Sequence, residues 1–361
     1  MATPPDKTFS DHKVEAEETN PKVSAVLNNV DLDRVPSKTI QPFLQKVLES
    51  SINTGEIPAS LFPPSSENDH NIIPHNSSVS WPILKPNAKN NILLYPGSFN
   101  PPHQGHLATI RYFSERREQL GITTMFLFVD PGSIVNSKKK KWGDVILPQN
   151  FRYELFYKVP EISQLVASGW LQLLVGDMDN HIKVLRATTD LVSEAGYAVK
   201  LVGLLGGDKL TVESAPHAHP GCLQEWGPVD EFLIISARRP VDFFDPKKET
   251  IPRDLPGCTK WKRGTEKCDE KEGYINDGAG VLWTCQALTV PGKPIIKFRA
   301  SQHSASNGVS STKIRQIMTE ALDEKLMEGL KDKVISAEFL VEWLILQRNQ
   351  SREVSDEKAF L

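Results

Sequence analysis

The eleven residues from Gly97 to Leu107 are of types that suit the binding of an anion. They read Gly-Ser-Phe-Asn-Pro-Pro-His-Gln-Gly-His-Leu and directly follow a short apolar segment. Gly97 permits a tight turn, the two prolines stiffen the path, and Gly105 allows a ligand to approach the backbone. A helix that begins near Gly105 would offer unpaired N–H groups and a positive dipole end, and His103 and His106 add further donors.

Each of these histidines alone is also typical of a helix cap or of a packed surface residue. Two histidines flanking a glycine, after a Gly-Ser-Phe-Asn-Pro turn at a strand end, favour a phosphate site instead. Such donors would stabilise a phosphate on which negative charge grows during a reaction.

A second segment, Gly308 to Arg315, also combines a helix start with positive charge. Ser310 or Ser311 suits the N-cap position, and apolar residues continue at helical spacing from Ile314 to Leu322. Hydroxyls, free N–H groups and two basic side chains in one helical turn suit a polyphosphate. Alone, the segment is equally typical of a capped helix with a solvated basic face. Together with the histidine segment it predicts a single polyphosphate site.

Alternating strands and helices position these two segments. Short apolar runs typical of strands buried on both faces occur at 91–95, 125–129, 171–175, 201–205, 232–235 and 295–298. Helix-like spacing separates the first four runs, over 107–120, 153–167 and 182–195. This alternation predicts an α/β fold with a mostly parallel sheet and helices on both faces. Such sheets bind ligands at the carboxyl ends of their strands.

Composition excludes several classes of protein. The 361 residues include 42 Lys plus Arg and 45 Asp plus Glu, a net charge of −3, which gives no reason to expect nucleic-acid or membrane-surface partners. No apolar run is long enough to cross a membrane, and the first thirty residues are polar and acidic. The sequence therefore predicts a cytoplasmic protein. The four cysteines are read as reduced thiols, with a metal shared by Cys258, Cys268 and Cys285 as the alternative.

The chain is predicted to contain one main domain at 90–347. The leader, 1–89, holds 11 of the 26 prolines and is expected to be largely disordered, except for an amphipathic helix near 39–52 that packs on the main domain. Residues 241–280 are rich in Pro, Gly, Lys and Asp and are expected to form a surface insertion, followed by an extra strand within 281–290. Residues 348–361 are expected to form a polar tail.

The two phosphate segments resemble those of the nucleotidyltransferase superfamily, and most closely those of nicotinamide or nicotinate mononucleotide adenylyltransferases. The resemblance rests on His103-x-Gly105-His106 and on Ser310-Ser311-Thr312-x-x-Arg315, and it covers roughly residues 90–347. The family's fold is a Rossmann-like α/β domain. Further positions that agree in order are Lys138 to Lys141, Pro148 with Arg152, Trp170, Gly207-Asp208 and Trp226. The lysine run is also typical of a solvated loop or of a nuclear import signal.

The resemblance implies a role for each matching residue. His103 and His106 would contact the ATP phosphates, with His106 at the α-phosphorus. Residues implied to bind the nucleotide or other phosphates are Gly97, Ser98, Phe99, Gly105, Lys138, Ser310, Ser311, Thr312 and Arg315. Residues implied to bind the acceptor or ribose are Arg152, Trp170, Gly207, Asp208 and Trp226, with Trp170 stacking on the pyridine ring.

The reaction implied is adenylyl transfer from ATP to nicotinamide or nicotinate mononucleotide, which forms NAD and pyrophosphate. Mg²⁺ would arrive with the triphosphate and would need few or no protein carboxylates, so no metal-ligating residues are assigned. One alternative is another phosphate-accepting nucleotidyltransferase, such as a cytidylyltransferase. A second alternative is a nucleotide-binding regulatory protein with little turnover. The sequence leaves the oligomeric state open, a homo-oligomer included.

Overall fold

The structure is a computed structural model. It describes residues 38–53, 81–131, 135, 145–174, 178–207, 210–213, 229–235, 241–245, 248–264, 281–299 and 310–359.

Ten strands and eight helices are named in the part of the chain that the structure describes. The strands are β1 (Lys38–Thr39), β2 (Ile83–Leu84), β3 (Asn90–Gly97), β4 (Ile122–Val129), β5 (Leu171–Leu174), β6 (Val199–Gly206), β7 (Glu231–Ile235), β8 (Lys262–Arg263), β9 (Leu282–Gln286) and β10 (Ile295–Arg299). The helices are α1 (Gln41–Asn53), α2 (Gln104–Glu115), α3 (Gln149–Tyr157), α4 (Pro160–Ala167), α5 (Met178–Glu194), α6 (Ser311–Glu320), α7 (Asp323–Leu330) and α8 (Ala337–Ala359).

The described strands form an eight-stranded sheet in the order β5-β4-β3-β6-β7-β10-β9-β8. Neighbours from β5 through β10 in this order are parallel, and β9 and β8 add antiparallel pairs at one side. The predicted α/β fold with a mostly parallel sheet is therefore confirmed. All six predicted strands are present, and the extra strand expected within 281–290 is β9.

Helices cover both faces of the sheet. Alternate strand residues point to opposite faces, and both sets of side chains are buried against helices. Ile92 and Phe232 lie in a core shared with α5, and Leu93 and Leu127 lie in a core shared with α2, α3, α4 and the three C-terminal helices. The main domain therefore has three layers.

The amphipathic helix predicted near 39–52 is present as α1, and it packs on α5 as expected. Leu44 and Val47 are buried in a small cluster with Val184 of α5. Thr39, at the predicted start of this helix, instead pairs with Ile83 in the two-stranded β1–β2 ladder.

The prediction of a surface insertion at 241–280 is wrong for the part that the structure describes. Val241, Phe243, Phe244, Leu255 and Trp261 are all at most 8% exposed and belong to the core on the α5 side of the sheet. The Phe243 ring meets Phe298 of β10 with ring centroids 4.8 Å apart. The segment has few apolar residues, but most of them, including three aromatic side chains, are buried.

The terminal helix α8 extends beyond the predicted domain boundary at residue 347, as far as Ala359. Arg348 explains part of this extension, because its guanidinium donates to the carbonyls of Met318 and Ala321 and pairs with Asp323. Residues 348–359, assigned to a polar tail, therefore continue the helix. Among the described helices, none is both long and apolar enough to cross a membrane.

Replacing Phe243 with alanine should show that the 241–264 segment is part of the core. We expect Phe243→Ala to lower the free energy of unfolding by about 3–5 kcal/mol, because a fully buried ring is removed. Ile251→Ala is the matched control, since Ile251 lies in the same segment but is 57% exposed; its effect should stay within about 0.5 kcal/mol. Equal, small effects in denaturant-induced unfolding would contradict the core assignment.

Candidate active site

The first phosphate segment lies at the carboxyl edge of the sheet, as predicted. Gly97 ends β3 and pairs with Val129, the last residue of the parallel strand β4. The Asp130 N–H donates to the Gly97 carbonyl at 2.9 Å, which draws the two strand ends together. Gly97 has no room for a side chain, because a Cβ there would come within 2.9 Å of the Phe99 ring.

His103 and His106 form a reciprocal cap at the start of α2. His103 is the N-cap, and its Nδ1 accepts a hydrogen bond from the Gly105 N–H at 3.1 Å. The His106 Nδ1 in turn accepts from the His103 N–H, also at 3.1 Å. The capping role considered for a single histidine is thus real for this pair.

The cap occupies the backbone N–H groups that were expected to bind an anion. The N–H groups of Gln104, Gly105, His106 and Leu107 all have partners: the Lys333 carbonyl, the His103 Nδ1, and the His103 carbonyl for the last two. The expectation that the start of α2 offers unpaired N–H groups to a phosphate is therefore wrong in this structure. The Gly105 N–H in particular is engaged with His103, so at the start of α2 the donors that remain for an anion are side chains.

The same cap fixes the tautomer of both rings. A neutral imidazole whose Nδ1 accepts a hydrogen bond carries its proton on Nε2. Both rings therefore have Nε2–H donors directed away from the helix backbone. The two rings stack with centroids 3.7 Å apart, and Phe99 meets the His106 ring edge-on at 4.8 Å. His103 is buried at 1% exposure and His106 is half-buried, so His106 is the more accessible donor.

The second phosphate segment begins α6, with Ser310 as its N-cap. The Ser310 Oγ accepts from the Lys313 N–H at 3.3 Å, while Ser311 opens the helix. Arg315, one turn further on, is 4% exposed, and burial lowers the pKa of its guanidinium. Its Nη1 donates to the Asn100 carbonyl at 2.8 Å, and its Nη2 donates to the Thr312 Oγ1 at 3.2 Å. This contact joins the two phosphate segments at one place.

Arg152 lies beneath the site rather than in it. Its side chain is fully buried and donates to the carbonyls of Leu147, Ser98 and Asp130. Burial lowers the pKa of Arg152 to about 10, and the nearby Asp130 carboxylate acts in the opposite direction. The prediction that Arg152 contacts the substrate is therefore wrong, because the guanidinium is enclosed and holds the loops that follow β3 and β4.

Comparison with known proteins identifies the family. A sequence profile described as cytidylyltransferase-like matches residues 94–317, which is more than half of the chain. The chain belongs to the cytidylyltransferase-like family. The predicted resemblance to the nucleotidyltransferase superfamily is thereby confirmed, and the profile spans both phosphate segments. The family supports nucleotidyl transfer as the type of activity.

Among solved structures, this cytidylyltransferase-like chain is similar to Plasmodium falciparum nicotinic acid mononucleotide adenylyltransferase complexed with NaAD, at 15% identity and a TM-score of 0.35. The similarity covers 72% of this chain and 96% of that one. Among curated proteins there is no significant match.

The fold brings most of the predicted site residues of this cytidylyltransferase-like protein to one edge. These are Gly97, Ser98, Phe99, His103, Gly105, His106, Gly207, Ser310, Ser311, Thr312 and Arg315. Gly207 belongs with them because it follows β6, the parallel neighbour of β3. Lys138, Asp208 and Trp226 lie outside the described residues, so their predicted roles stay predictions.

Trp170 is at the wrong edge of the sheet to stack on a bound pyridine ring. It precedes β5, whose first residue Leu171 pairs with Met125, and its carbonyl accepts from the Met125 N–H at 2.8 Å. Gly97 pairs with Val129, four residues further along the same strand β4. Four residues span roughly 13 Å in a strand. Trp170 is also only 5% exposed and belongs to the core.

Two residues at the site were missed by the sequence reasoning. Asn100 is 1% exposed, and its side chain binds the Val145 carbonyl and the Leu147 N–H, which orders the chain entering α3. Asp130 accepts a 2.6 Å hydrogen bond from the Ser98 Oγ. Asp130 could have been predicted, because it directly follows a buried parallel strand. Asn100 had no signal beyond its place within the segment.

A cavity of about 720 Å³ lies elsewhere on the sheet. It is lined by Leu93, Lys200, Glu231 and Lys297, among others, and by none of the residues of the two phosphate segments. Glu231, one of the lining residues, forms ion pairs with Lys200 and Lys297. The cavity is therefore a separate feature from the phosphate site.

Replacing Arg152 with methionine should test its supporting role. We expect Arg152→Met to lower the free energy of unfolding by at least about 2 kcal/mol, because three backbone carbonyls lose a buried donor. Arg117→Met, at an exposed arginine, serves as the control and should change stability by no more than about 0.5 kcal/mol. A substrate-binding arginine without this role would leave stability unchanged and raise only the KM.

Proposed function

We propose that this chain transfers an adenylyl group from ATP to the phosphate of nicotinamide mononucleotide, or of its nicotinate analogue, and releases pyrophosphate. The observation that carries the proposal is the Arg315–Asn100 contact, which places both predicted phosphate segments at one carboxyl edge of the sheet. Two anions bound at that edge would be close enough to react. Membership of a nucleotidyltransferase family is consistent with this chemistry.

The reaction itself needs alignment and charge neutralisation. The 5′-phosphate of the acceptor is already a nucleophile, so it can attack the α-phosphorus of ATP without a covalent enzyme intermediate. Holding the two reactants in line lowers the activation barrier by roughly several kcal/mol, because the bound reactants no longer need to meet and orient in solution. Fixed donors at the growing negative charge contribute a similar amount.

His106 is the residue best placed to be such a donor. Its Nε2–H is set by the hydrogen bond that its Nδ1 accepts, and its ring is held between His103 and Phe99. Because the ring is already fixed, little free energy is spent on reorienting it when negative charge develops in the transition state. The His103 ring stacks on the His106 ring and so helps to hold it in position. Arg315 is proposed to contact the β and γ phosphates in addition to its hydrogen bond to the Asn100 carbonyl.

The metal is proposed to enter as part of the substrate. Among the described residues, no group of three or more His, Cys, Asp or Glu side chains could hold a metal ion. Asp130, a carboxylate near the segment, already accepts from Ser98. Mg²⁺ bound to the triphosphate would keep several water ligands and need little from the protein.

The choice of acceptor rests on the length of the Ser310 to Arg315 match and on the predicted Asp208 loop. Trp170 no longer supports it. The family profile is named for cytidylyl transfer, so transfer from CTP to a phosphorylated alcohol is the second candidate.

A product assay separates these candidates. We expect the full chain with Mg²⁺, ATP and nicotinamide or nicotinate mononucleotide to release pyrophosphate and form the dinucleotide, measured by mass spectrometry. Parallel reactions contain CTP with phosphocholine or with phosphoethanolamine. A CDP-linked product with no dinucleotide would replace the first proposal by the second.

A regulatory protein would behave differently in the same experiment. Calorimetry would then detect MgATP binding, while no acceptor yields pyrophosphate. That combination would contradict both transfer proposals.

Two substitutions at His106 should separate catalysis from capping. His106→Gln keeps a side chain that can reach back to the N-cap N–H, as glutamine does in a capping box, while His106→Ala loses both functions. We expect both variants to lower kcat by roughly a hundredfold or more. Only His106→Ala should also lower the melting temperature. A His106→Gln enzyme with normal kcat would remove the imidazole from the transition state.

A further inference from the structure

Two cysteines of the chain lie side by side, away from the phosphate site. Cys285 is in β9, and Cys258 lies in a turn closed by the bond from its N–H to the Leu255 carbonyl at 3.1 Å. Both are free thiols. Cys285 is 5% exposed in the core, whereas Cys258 is half-buried at its margin.

The local pairing turns both side chains to the same side. Cys258 pairs with Ala287 in an antiparallel bridge, and Cys285 is two residues before Ala287. Residues two apart in extended chain share a face. Thr259 and Gln286 lock this register with two hydrogen bonds, each 2.9 Å long. The two thiols are close enough for each to shift the pKa of the other.

The two thiols differ in reactivity. The neighbouring Cys285 thiol lowers the pKa of Cys258, although partial burial acts in the opposite direction. The neighbouring Cys258 thiol, together with burial, raises the pKa of Cys285. The thiolate is the nucleophile in oxidation, and access to solvent is also required. Cys258 meets both conditions better than Cys285.

We propose that Cys258 and Cys285 form a peroxide-sensitive pair that closes to an intramolecular disulfide. The Cys258 thiolate attacks one oxygen of hydrogen peroxide, the O–O bond breaks, and hydroxide leaves, which gives a sulfenic acid on Cys258. The Cys285 sulfur then attacks the Cys258 sulfur, the S–O bond breaks, and the Cys285 proton leaves with the oxygen as water. In total, two thiols and one peroxide give one disulfide and two waters.

Closing the bond requires the two sulfurs to come to about 2.05 Å from each other. Cys258 lies at the end of a turn, outside the regular strands. Cys285 pairs with Ile296, near the start of β10, so the pair is toward the amino edge of the sheet, opposite the phosphate segments. Oxidation should therefore leave the site's geometry unchanged.

The test uses the full wild-type chain treated with hydrogen peroxide, followed by blocking of free thiols with iodoacetamide, protease digestion and mass spectrometry without reductant. We expect a linked pair of peptides containing Cys258 and Cys285, about 2 Da lighter than the sum of the two free-thiol peptides. Dithiothreitol should restore both thiols. Linkage of Cys258 to Cys222 or Cys268, or sulfinic acid on Cys258 without linkage, would overturn the proposal.

Single substitutions assign the roles of the two sulfurs. Cys285→Ser should leave a sulfenic acid on Cys258 that dimedone captures, whereas Cys258→Ser should leave Cys285 unoxidised at the same peroxide dose. Circular dichroism verifies that each variant is folded. Dimedone capture at Cys285 in preference to Cys258 would contradict the assignment. This outcome is independent of the proposed transferase function, because no substrate is present.

Discussion

A buried hydrogen bond between the Arg315 guanidinium and the Asn100 carbonyl joins segments 215 residues apart. Both segments follow strands of one parallel sheet, and the sheet brings their ends to the same edge. The strands that precede the two segments, β3 and β10, are not neighbours in the sheet. The hydrogen bond is what fixes the start of α6 against the loop that precedes α2. A single candidate site therefore depends on a contact that neither segment could make by itself.

Buried hydrogen bonds outside and inside the two phosphate segments hold the site in place. Arg152 holds the carbonyls that follow β3 and β4, and the reciprocal cap of His103 and His106 holds the start of α2. These contacts use backbone groups that would otherwise be unsatisfied, so stability and site geometry have the same origin. The site is thus built before any ligand arrives, as electrostatic stabilisation of a transition state requires.

Much of this arrangement could be predicted from sequence. Strands buried on both faces gave continuous apolar runs, and the order of helices and strands gave the parallel sheet and its site edge. The edge on which Trp170 lies could also have been predicted, because Trp170 precedes a strand and therefore lies at the edge opposite the carboxyl ends. No local sequence pattern predicts that the Lys333 carbonyl accepts a hydrogen bond from the first N–H group of α2. None predicts that Arg152 is enclosed by backbone carbonyls either.

The central claim is that both phosphate segments form one nucleotide site. Hydrogen–deuterium exchange of the full chain, with and without MgATP, tests it directly through peptides that cover 97–107 and 310–316. The account predicts that exchange slows in both peptides together, with the same dependence on ATP concentration. Slower exchange in one peptide alone, at saturating MgATP, would contradict it.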